Sequence, residues 1–240
     1  MKHFLREPFR VSVIFPSYNE KENIREAIKR TYKVLGKSLQ EIIVVDDNSP
    51  DGTWKIVLKM KKYKALLIRR INKNGLASAL ARGVEEAHGD VVVWLDCDLG
   101  IPPEEIEKLV EKLNDYDIAV GSRYVKGGKD TRAKWRVILS IFINLFAILF
   151  LGSYIRDHTS GFAAVKRDVF KKVKFPDKGF GEYFIELMYR CHKKKFRIVE
   201  VGYAYGNRKG GVSKSDGNLL TLLKYGIQYG LKIIKCRLTI

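Results

Sequence analysis

Two hydrophobic periods alternate along the first 120 residues of this chain. Short apolar runs at residues 11–15, 41–46, 65–71, 91–95 and 118–120 are rich in Val and Ile, as in strands buried on both faces of a mostly parallel sheet. Between them, apolar positions recur every three to four residues: Ile24, Ala27, Ile28 and Val34, then residues 54–63, then Ala77, Ala81 and Ala87, then residues 101–113. That spacing predicts amphipathic helices, and the alternation of strand with helix predicts an α/β fold, a sheet flanked by helices. The punctuation agrees. Asn19 is placed to cap the helix after the first strand, with Glu20 and Glu22 in its first turn. Residues 48–52 are dense in turn formers, with Asp51 or Thr53 as the next cap. Gly75 opens the alanine-rich helix, Gly89 closes it, and Pro102 and Pro103 start the helix after that.

The second half changes character. Residues 125–136 form a basic, glycine-bearing loop, long enough to suggest a functional or mobile segment. It runs into an apolar stretch at 137–151, interrupted by Ser140 and Asn144. Taken alone, this stretch falls short of the ~20 residues that span a bilayer, so it predicts a buried helix or one lying in the interface. Residues 157–170 predict a turn, a short strand and a helix. Residues 179–195 predict an amphipathic helix with Phe184, Leu187, Met188 and Cys191 inward and lysines at its C-terminus; residues 197–205 alternate as an edge strand. A basic loop follows, and then a helix over 218–240 whose only charges are Lys224, Lys232, Lys235 and Arg237. A basic helix with an apolar face suits a membrane surface or a partner's transmembrane helix, and equally suits packing on its own domain. The expected organisation is a main domain over 1–215, with the basic loop and interfacial helix at about 125–151, and a basic amphipathic helix over 216–240. A chain ending near Gly217 is then expected to stay soluble and to lose liposome binding.

Charge sharpens this picture. The net charge is +18, but residues 1–120 hold 20 Lys+Arg against 19 Asp+Glu, and residues 121–240 hold 25 against 8. Such asymmetry points to a polyanionic surface as partner. Nucleic acid is disfavoured, because the aromatics of the basic half form no stacking platform and the acidic pairs of the first half would have no purpose. The anionic face of a membrane remains. Cys97, Cys191 and Cys236 are odd in number and at no metal-like spacing, so they read as reduced thiols of a cytosolic protein. The charged N-terminus predicts no signal peptide. His3, His88, His158 and His192 acquire no role.

The candidate chemistry sits at strand ends. Asp96 and Asp98 follow the Val-rich run at 91–95, and two hard carboxylates on one side of an extended chain suit Mg²⁺ or Mn²⁺ completed by water and a substrate's phosphates. Asp46 and Asp47 end the second strand in the same way. No G-x-G-x-x-G follows the first strand and no P-loop occurs anywhere, so the nucleotide folds marked by those motifs are excluded.

Seven motifs in order, PSYNEKENI, IIVVDDNSPDGT, NGLASALARG, DCDLGIPPE, GSRYVKGG, DHTSGF and NRKGGVSK, span nearly the whole chain. Together they resemble the polyprenyl-phosphate sugar synthases of the inverting GT-A family 2 glycosyltransferases, with the dolichol-phosphate mannose synthase family as the best likeness. The resemblance implies a GT-A fold and a nucleotide-sugar pocket at Pro16, Tyr18, Glu20, Val45 and Asp47. It implies a metal and diphosphate site at Asp96, Cys97 and Asp98, with Arg123 near the donor sugar and diphosphate. Arg208 and Lys214 match a basic loop that closes on phosphate, and Arg136 belongs to the acceptor loop, with Arg132 and Ser140 beside it. Two positions depart from the family. Gly100 stands where Gln or Ser is frequent, which leaves that metal position to water, and Cys97 stands where Ala is usual.

The expected activity is inverting transfer of a hexose, mannose from GDP-mannose first, to a dolichyl or other polyprenyl phosphate. A peripheral enzyme at the cytoplasmic face of a membrane is expected, with a transmembrane partner protein as a further candidate partner. A phosphate monoester has its second pKa at about 6 and is already anionic near neutrality, so no general base is required. Arginines suit it because a guanidinium fork matches two phosphate oxygens. The lysines Lys126, Lys129 and Lys134 read as solvated surface. Two alternatives stand beside this reading: a UDP-glucose or UDP-N-acetylglucosamine donor, or a hydroxyl acceptor with Asp157 as base. The Q-x-x-R-W motif of processive polysaccharide synthases is absent.

Overall fold

Val- and Ile-rich runs without polar interruption belong in the middle of a sheet, and that is where they lie. The computed structural model describes residues 8–71, 75–206 and 219–240. The strands are β1 (Val11–Ser17), β2 (Leu39–Asp46), β3 (Ala65–Arg69), β4 (Val91–Trp94), β5 (Ile118–Ser122), β6 (Lys129–Asp130), β7 (Ala163–Lys166), β8 (Ile198–Gly202) and β9 (Ala204–Tyr205). Seven of them form one sheet in the order β3-β2-β1-β4-β7-β5-β8, while β6 and β9 pair separately. All neighbours in the large sheet are parallel except those of β7, which runs antiparallel between β4 and β5. The fold is thus α/β with a mostly parallel sheet, as the pattern predicts.

Alternate residues of β1 face opposite layers. Val11, Val13 and Phe15 join the cluster under α1 (Ile24–Leu35), α2 (Thr53–Leu58) and α4 (Glu105–Lys112). Ile14 faces α3 (Leu76–Glu85) and α6 (Tyr183–Lys193). Gly83 allows that second contact, because a Cβ there would lie 2.5 Å from the Ile14 side chain. The inserted β7 needs similar clearance: Phe162 lies against Gly121, where a Cβ would meet its ring at 2.3 Å.

Several boundaries differ from the sequence expectation. The first helix starts at Ile24 with Asn23 at its cap position, and Asn19 instead takes a left-handed turn at φ 56°. Asparagine tolerates that conformation because its short polar side chain bonds locally. β4 ends at Trp94, so Asp96 and Asp98 are carried by a turn, with Leu99 at φ 64°, and not by an extended strand. Residues 167–171 form a 3-10 turn, not an α-helix.

A third layer lies beyond α6. α5 (Lys134–Leu151) includes the three residues assigned to the loop, and its 18 residues are long and apolar enough, by length and composition, to cross a membrane. The expectation that this stretch is too short omitted its first turn. Its burial is inverted. Ser140, Asn144, Ala147 and Leu151 face the protein, while Ile138, Ile141, Phe142, Leu145 and Leu149 are exposed, Leu149 to 78%. α7 (Leu219–Thr239) packs beside it, burying Ile233 and Cys236 against Ala147, Leu151, Ile185 and Tyr189. Lys232 Nζ adds an ion pair to Glu186 on α6 at 2.6 Å. The opposite face of α7 exposes Ile227, Leu231, Ile234 and Leu238.

Candidate active site

The C-terminal ends of parallel strands are where open α/β sheets bind ligands, and β2, β1 and β4 end side by side. The loops after β1 and β2 are sewn together. Asp46, wholly buried, accepts from Ser17 Oγ at 3.2 Å, Ser49 N at 2.9 Å and Ser49 Oγ at 2.6 Å. Asn19 N donates to Ser49 Oγ at 3.0 Å and Glu20 N to Thr53 Oγ1 at 2.9 Å. Asp51 is a turn residue, as expected: it accepts from Thr53 N at 2.9 Å and Lys21 N at 3.0 Å. Burial would raise its pKa, but these bonds outweigh burial and hold it below the usual carboxylate range.

The predicted nucleotide residues gather at this end. Pro16 is the last residue but one of β1, and its carbonyl accepts from Cys97 Sγ at 3.7 Å, which joins this strand end to the Asp96–Asp98 turn. Tyr18 is half-buried, and Glu20 is buried with Asn23 Nδ2 at 3.0 Å from its carboxylate. Asp47 is buried and ion-paired with Arg70, a residue that sequence reasoning passed over. Val45 lies at the same end, paired with Pro16 in the parallel register, but its side chain is wholly buried within the apolar layer beneath the site.

Asp96 is exposed and Asp98 half-exposed at the end of β4. Asp98 Oδ1 accepts from Gly100 N at 2.9 Å, and a Cβ on residue 100 would come within 3.1 Å of that oxygen and 3.4 Å of Tyr205 Oη. Gly100 therefore makes room for the carboxylate and the tyrosine together. Burial, then the charges of Asp96 and Asp98, push the Tyr205 hydroxyl up to about 12, so it stays protonated beside them. Among the described residues no three His, Cys, Asp or Glu side chains converge. The donor set is thus two hard carboxylates on an open edge. That set fits a divalent cation that takes its other ligands from a diphosphate and water, and it does not fit a closed protein cage.

A second polar group begins at Arg123 after β5. Its side chain is 3% exposed and forks onto Asp157, Nε to Oδ2 at 2.8 Å and Nη2 to Oδ1 at 2.6 Å, while its backbone N reaches Oδ2 at 3.0 Å. Burial alone would lower the Arg123 pKa; Asp157 more than reverses this and keeps the guanidinium charged. On one side Arg123 lies 3.6 Å from Asp130, which is forked by Arg132 at 2.9 and 2.6 Å. On the other, Arg123 Nη2 donates to Thr159 Oγ1 at 2.8 Å, and Thr159 reaches Ser140 at 3.1 Å and Asn144 at 3.1 Å on α5. Two arginines and two aspartates balance, as buried charges must. The guanidinium of Arg132 also lies 5.3 Å from the Tyr205 ring centre, which links this group to the carboxylate pair.

These contacts revise individual expectations. Arg123 and Asp157 are partners, and the Asp157 carboxylate is wholly buried with Arg123 and Thr159 on it, a poor position from which to deprotonate an incoming hydroxyl. Ser140 faces inward to Thr159, so its side chain supports the arginine group. Arg136 is half-buried in the first turn of α5, 5.2 Å from the Trp135 ring. Arg208 and Lys214 lie outside the described residues. Cys97, Cys191 and Cys236 are buried and form no disulfide, and burial pushes the Cys191 thiol up to about 12, so it stays protonated. Asp130 and Thr159 were missed as site residues, and Asn144 was read only as an interruption of the apolar stretch. Thr159 falls within the DHTSGF block, and nothing local tied any of the three to Arg123.

Comparison with known proteins agrees with this architecture. Residues 12–174 match the family described as Glycosyl transferase family 2. The chain is 41% identical to a dolichol-phosphate mannosyltransferase of Pyrococcus furiosus over 90% of its own length, and spans 61% of the length of that relative. It is 33% identical to a polyprenol monophosphomannose synthase of Mycolicibacterium smegmatis over 89% of this chain and 84% of that one. A solved glucosyl-3-phosphoglycerate synthase of Mycobacterium tuberculosis, in complex with Mn²⁺, UDP-glucose and phosphoglyceric acid, superposes with a TM-score of 0.74. That match covers 95% of this chain and 80% of the other at 20% identity, and so speaks for the GT-A fold alone. With carboxylates at the ends of parallel strands and a family match over two thirds of its length, the chain belongs to glycosyltransferase family 2 and is a glycosyltransferase.

Proposed function

We propose that this enzyme transfers mannose, with inversion, from GDP-mannose to dolichyl phosphate or another polyprenyl phosphate at the cytoplasmic face of a membrane. The observation that carries the proposal is the inverted burial of α5, which carries Arg136 in its first turn and then exposes Ile138, Ile141, Phe142, Leu145 and Leu149. Each large apolar side chain left in water forgoes about 1.5–3 kcal/mol, so such a face calls for an apolar partner. A lipid substrate supplies one, its chain along α5 and its phosphate at Arg136 and Arg132. α5 carries no acidic residue, and Lys235 and Arg237 are exposed on α7, which suits an anionic bilayer. The relatives' names, dolichol-phosphate mannosyltransferase and polyprenol monophosphomannose synthase, support the same acceptor and sugar.

In this reading Pro16, Tyr18, Glu20 and Asp47 receive the nucleoside, and Asp96 and Asp98 would hold Mg²⁺ or Mn²⁺. The cation, when bound, neutralises the charge that gathers on the departing diphosphate. An acceptor phosphate oxygen forms the new bond to C1 as the bond from C1 to the GDP oxygen breaks. Both leaving group and acceptor are anions, so the protein's task is to hold them in line and offset their charge. Arg123, fixed by Asp157, keeps a positive charge behind Arg132. No base is needed, which fits an Asp157 already occupied by Arg123.

The test is transfer of label from GDP-mannose, UDP-glucose and UDP-N-acetylglucosamine to a short polyprenyl phosphate with Mg²⁺, for wild type and Asp98→Ala. Product from GDP-mannose alone, lost in the variant, is expected. Product only from a UDP-sugar would change the donor, and no lipid-linked product from any donor would overturn the acceptor.

A further inference from the structure

The parallel register pairs Asp46 of β2 with Arg69 of β3, and Arg70 N donates to Asp46 O at 2.8 Å. The next residues along both strands, Asp47 and Arg70, are therefore brought together by the sheet itself. Arg70 uses its guanidinium on three residues. Nε donates to Asp47 Oδ1 at 2.6 Å, with Nη2 also on that carboxylate; Nη2 donates to Gly75 O at 3.1 Å, and Nη1 to Ser78 Oγ at 2.9 Å. Gly75 N closes the ring on Asp47 Oδ2 at 3.3 Å. Gly75 sits at φ +88°, a backbone that favours glycine, and this presents both its N–H and its carbonyl to the pair. The side chains of Arg70 and Asp47 are 11% and 6% exposed. Next door, Arg69 Nε holds Asn48 Oδ1 at 2.9 Å and stacks 3.9 Å from the Trp54 ring centre.

We infer that Arg70 is a positioning residue for nucleotide binding: it clamps Asp47 between β2, β3 and the start of α3, so that the carboxylate meets the nucleoside in one fixed orientation. The inference rests on the reading of Asp47 as a nucleoside residue. A carboxylate fixed and charged in this way can only accept hydrogen bonds, and so selects a nucleoside edge that donates N–H or O–H. The clamp lies at the β2 and β3 ends, whereas the carboxylate pair and the arginine group follow β4 and β5. Arg70 therefore governs how tightly the nucleoside is held and leaves the transfer step alone. Lysine cannot replace it, because an ammonium is a single point of charge where the site requires a planar fork.

The experiment measures GDP and inorganic pyrophosphate binding, with Mg²⁺, and the KM and kcat of the proposed transfer, for the full chain. The variants are Arg70→Lys, Asp47→Asn, the two combined, and Ser78→Ala, with a thermal melt to verify folding. Arg70→Lys is expected to weaken GDP about 10-fold and raise donor KM alike, with kcat within about twofold and pyrophosphate binding unchanged. The double variant should bind GDP no more weakly than Asp47→Asn alone, since both changes disable one unit. Ser78→Ala, which leaves the ion pair in place, should raise KM about threefold. Wild-type GDP affinity in a folded Arg70→Lys, or losses that multiply in the double variant, would overturn the inference while Asp47→Asn still weakens GDP. If Asp47→Asn itself binds GDP normally, the nucleoside reading falls and the inference with it. Should Arg70→Lys not fold, an unchanged KM in Ser78→Ala overturns the clamp.

Discussion

His158 is wholly buried next to the Arg123–Asp157 pair, and neither of its ring nitrogens makes a hydrogen bond. Tyr154 packs edge-on against it at 5.1 Å, and Tyr154 in turn stacks on His192 at 4.2 Å. Burial lowers the His158 pKa from 6.5 to about 4, only partly opposed by the charge of Asp157 and then by the nearby backbone of Ile155 and Gly152. Above pH 6.5 the ring is neutral in both the folded and the unfolded chain. As pH falls from 6.5 towards 4 the unfolded chain takes up a proton that the folded chain refuses, so stability is lost across that window and the loss levels off below it. The gap between 6.5 and about 4 corresponds to about 3 kcal/mol once both forms are protonated. His158→Leu keeps an apolar side chain against Tyr154 and leaves the backbone bond from residue 158 N to Asn144 Oδ1, 2.7 Å, untouched. Urea unfolding of wild type and variant at pH 7.5, 6.5, 5.5 and 4.5 isolates the effect, because carboxylates shared by both proteins cancel in the difference. The variant should gain steadily on wild type below pH 6.5, reaching most of the ~3 kcal/mol at pH 4.5. His192 titrates low as well, through burial and then Lys193, so His192→Gln is the control that should leave most of the difference in place. Parallel pH profiles for wild type and His158→Leu would refute the argument.

The remaining expectations concern the charged group and the outer helices. Arg123→Met should strand the buried Asp157 carboxylate and cost about 3–5 kcal/mol in urea unfolding, with part of the loss recovered in the double variant Arg123→Met, Asp157→Asn; equal stability of the single variant and wild type would contradict the pairing. Leu145→Glu with Leu149→Glu, on the exposed face of α5, should leave the thermal melt within about 1 °C of wild type and abolish flotation with anionic vesicles. Unchanged flotation would remove α5 from the membrane contact, and binding to a membrane only in the presence of another protein would favour a transmembrane partner. Ending the chain near Gly217 should uncover Ala147, Leu151, Ile185 and Tyr189, giving dye binding and aggregation; a monodisperse product would show that α7 is dispensable to the fold, as the pattern of its charges first suggested.

What could be read along the chain was whatever depends on near neighbours. Val91–Trp94 is a central strand because every residue in it is apolar and branched or aromatic. Asp96 and Asp98 could be placed at the end of that strand because strand ends are local signals, although the turn that carries them could not, and the seven ordered motifs carried the family because they too are short stretches. Residues 183–193 showed their inward face through helical spacing alone. Tertiary structure decided the pairings over long separations. Arg70 meets Asp47 only because β2 and β3 are in register, and Arg123 meets Asp157 only because β7 enters the sheet antiparallel between β4 and β5 and brings the preceding turn to the end of β5. Asp157 accordingly looked like a free carboxylate in the sequence and is a counter-charge in the fold. Ser140 and Asn144 looked like interruptions of an apolar helix, and they are its buried face, because Thr159 waits there to bond them. Spacing along a chain reports which residues share a face; which face is turned inward depends on what the rest of the chain places against it.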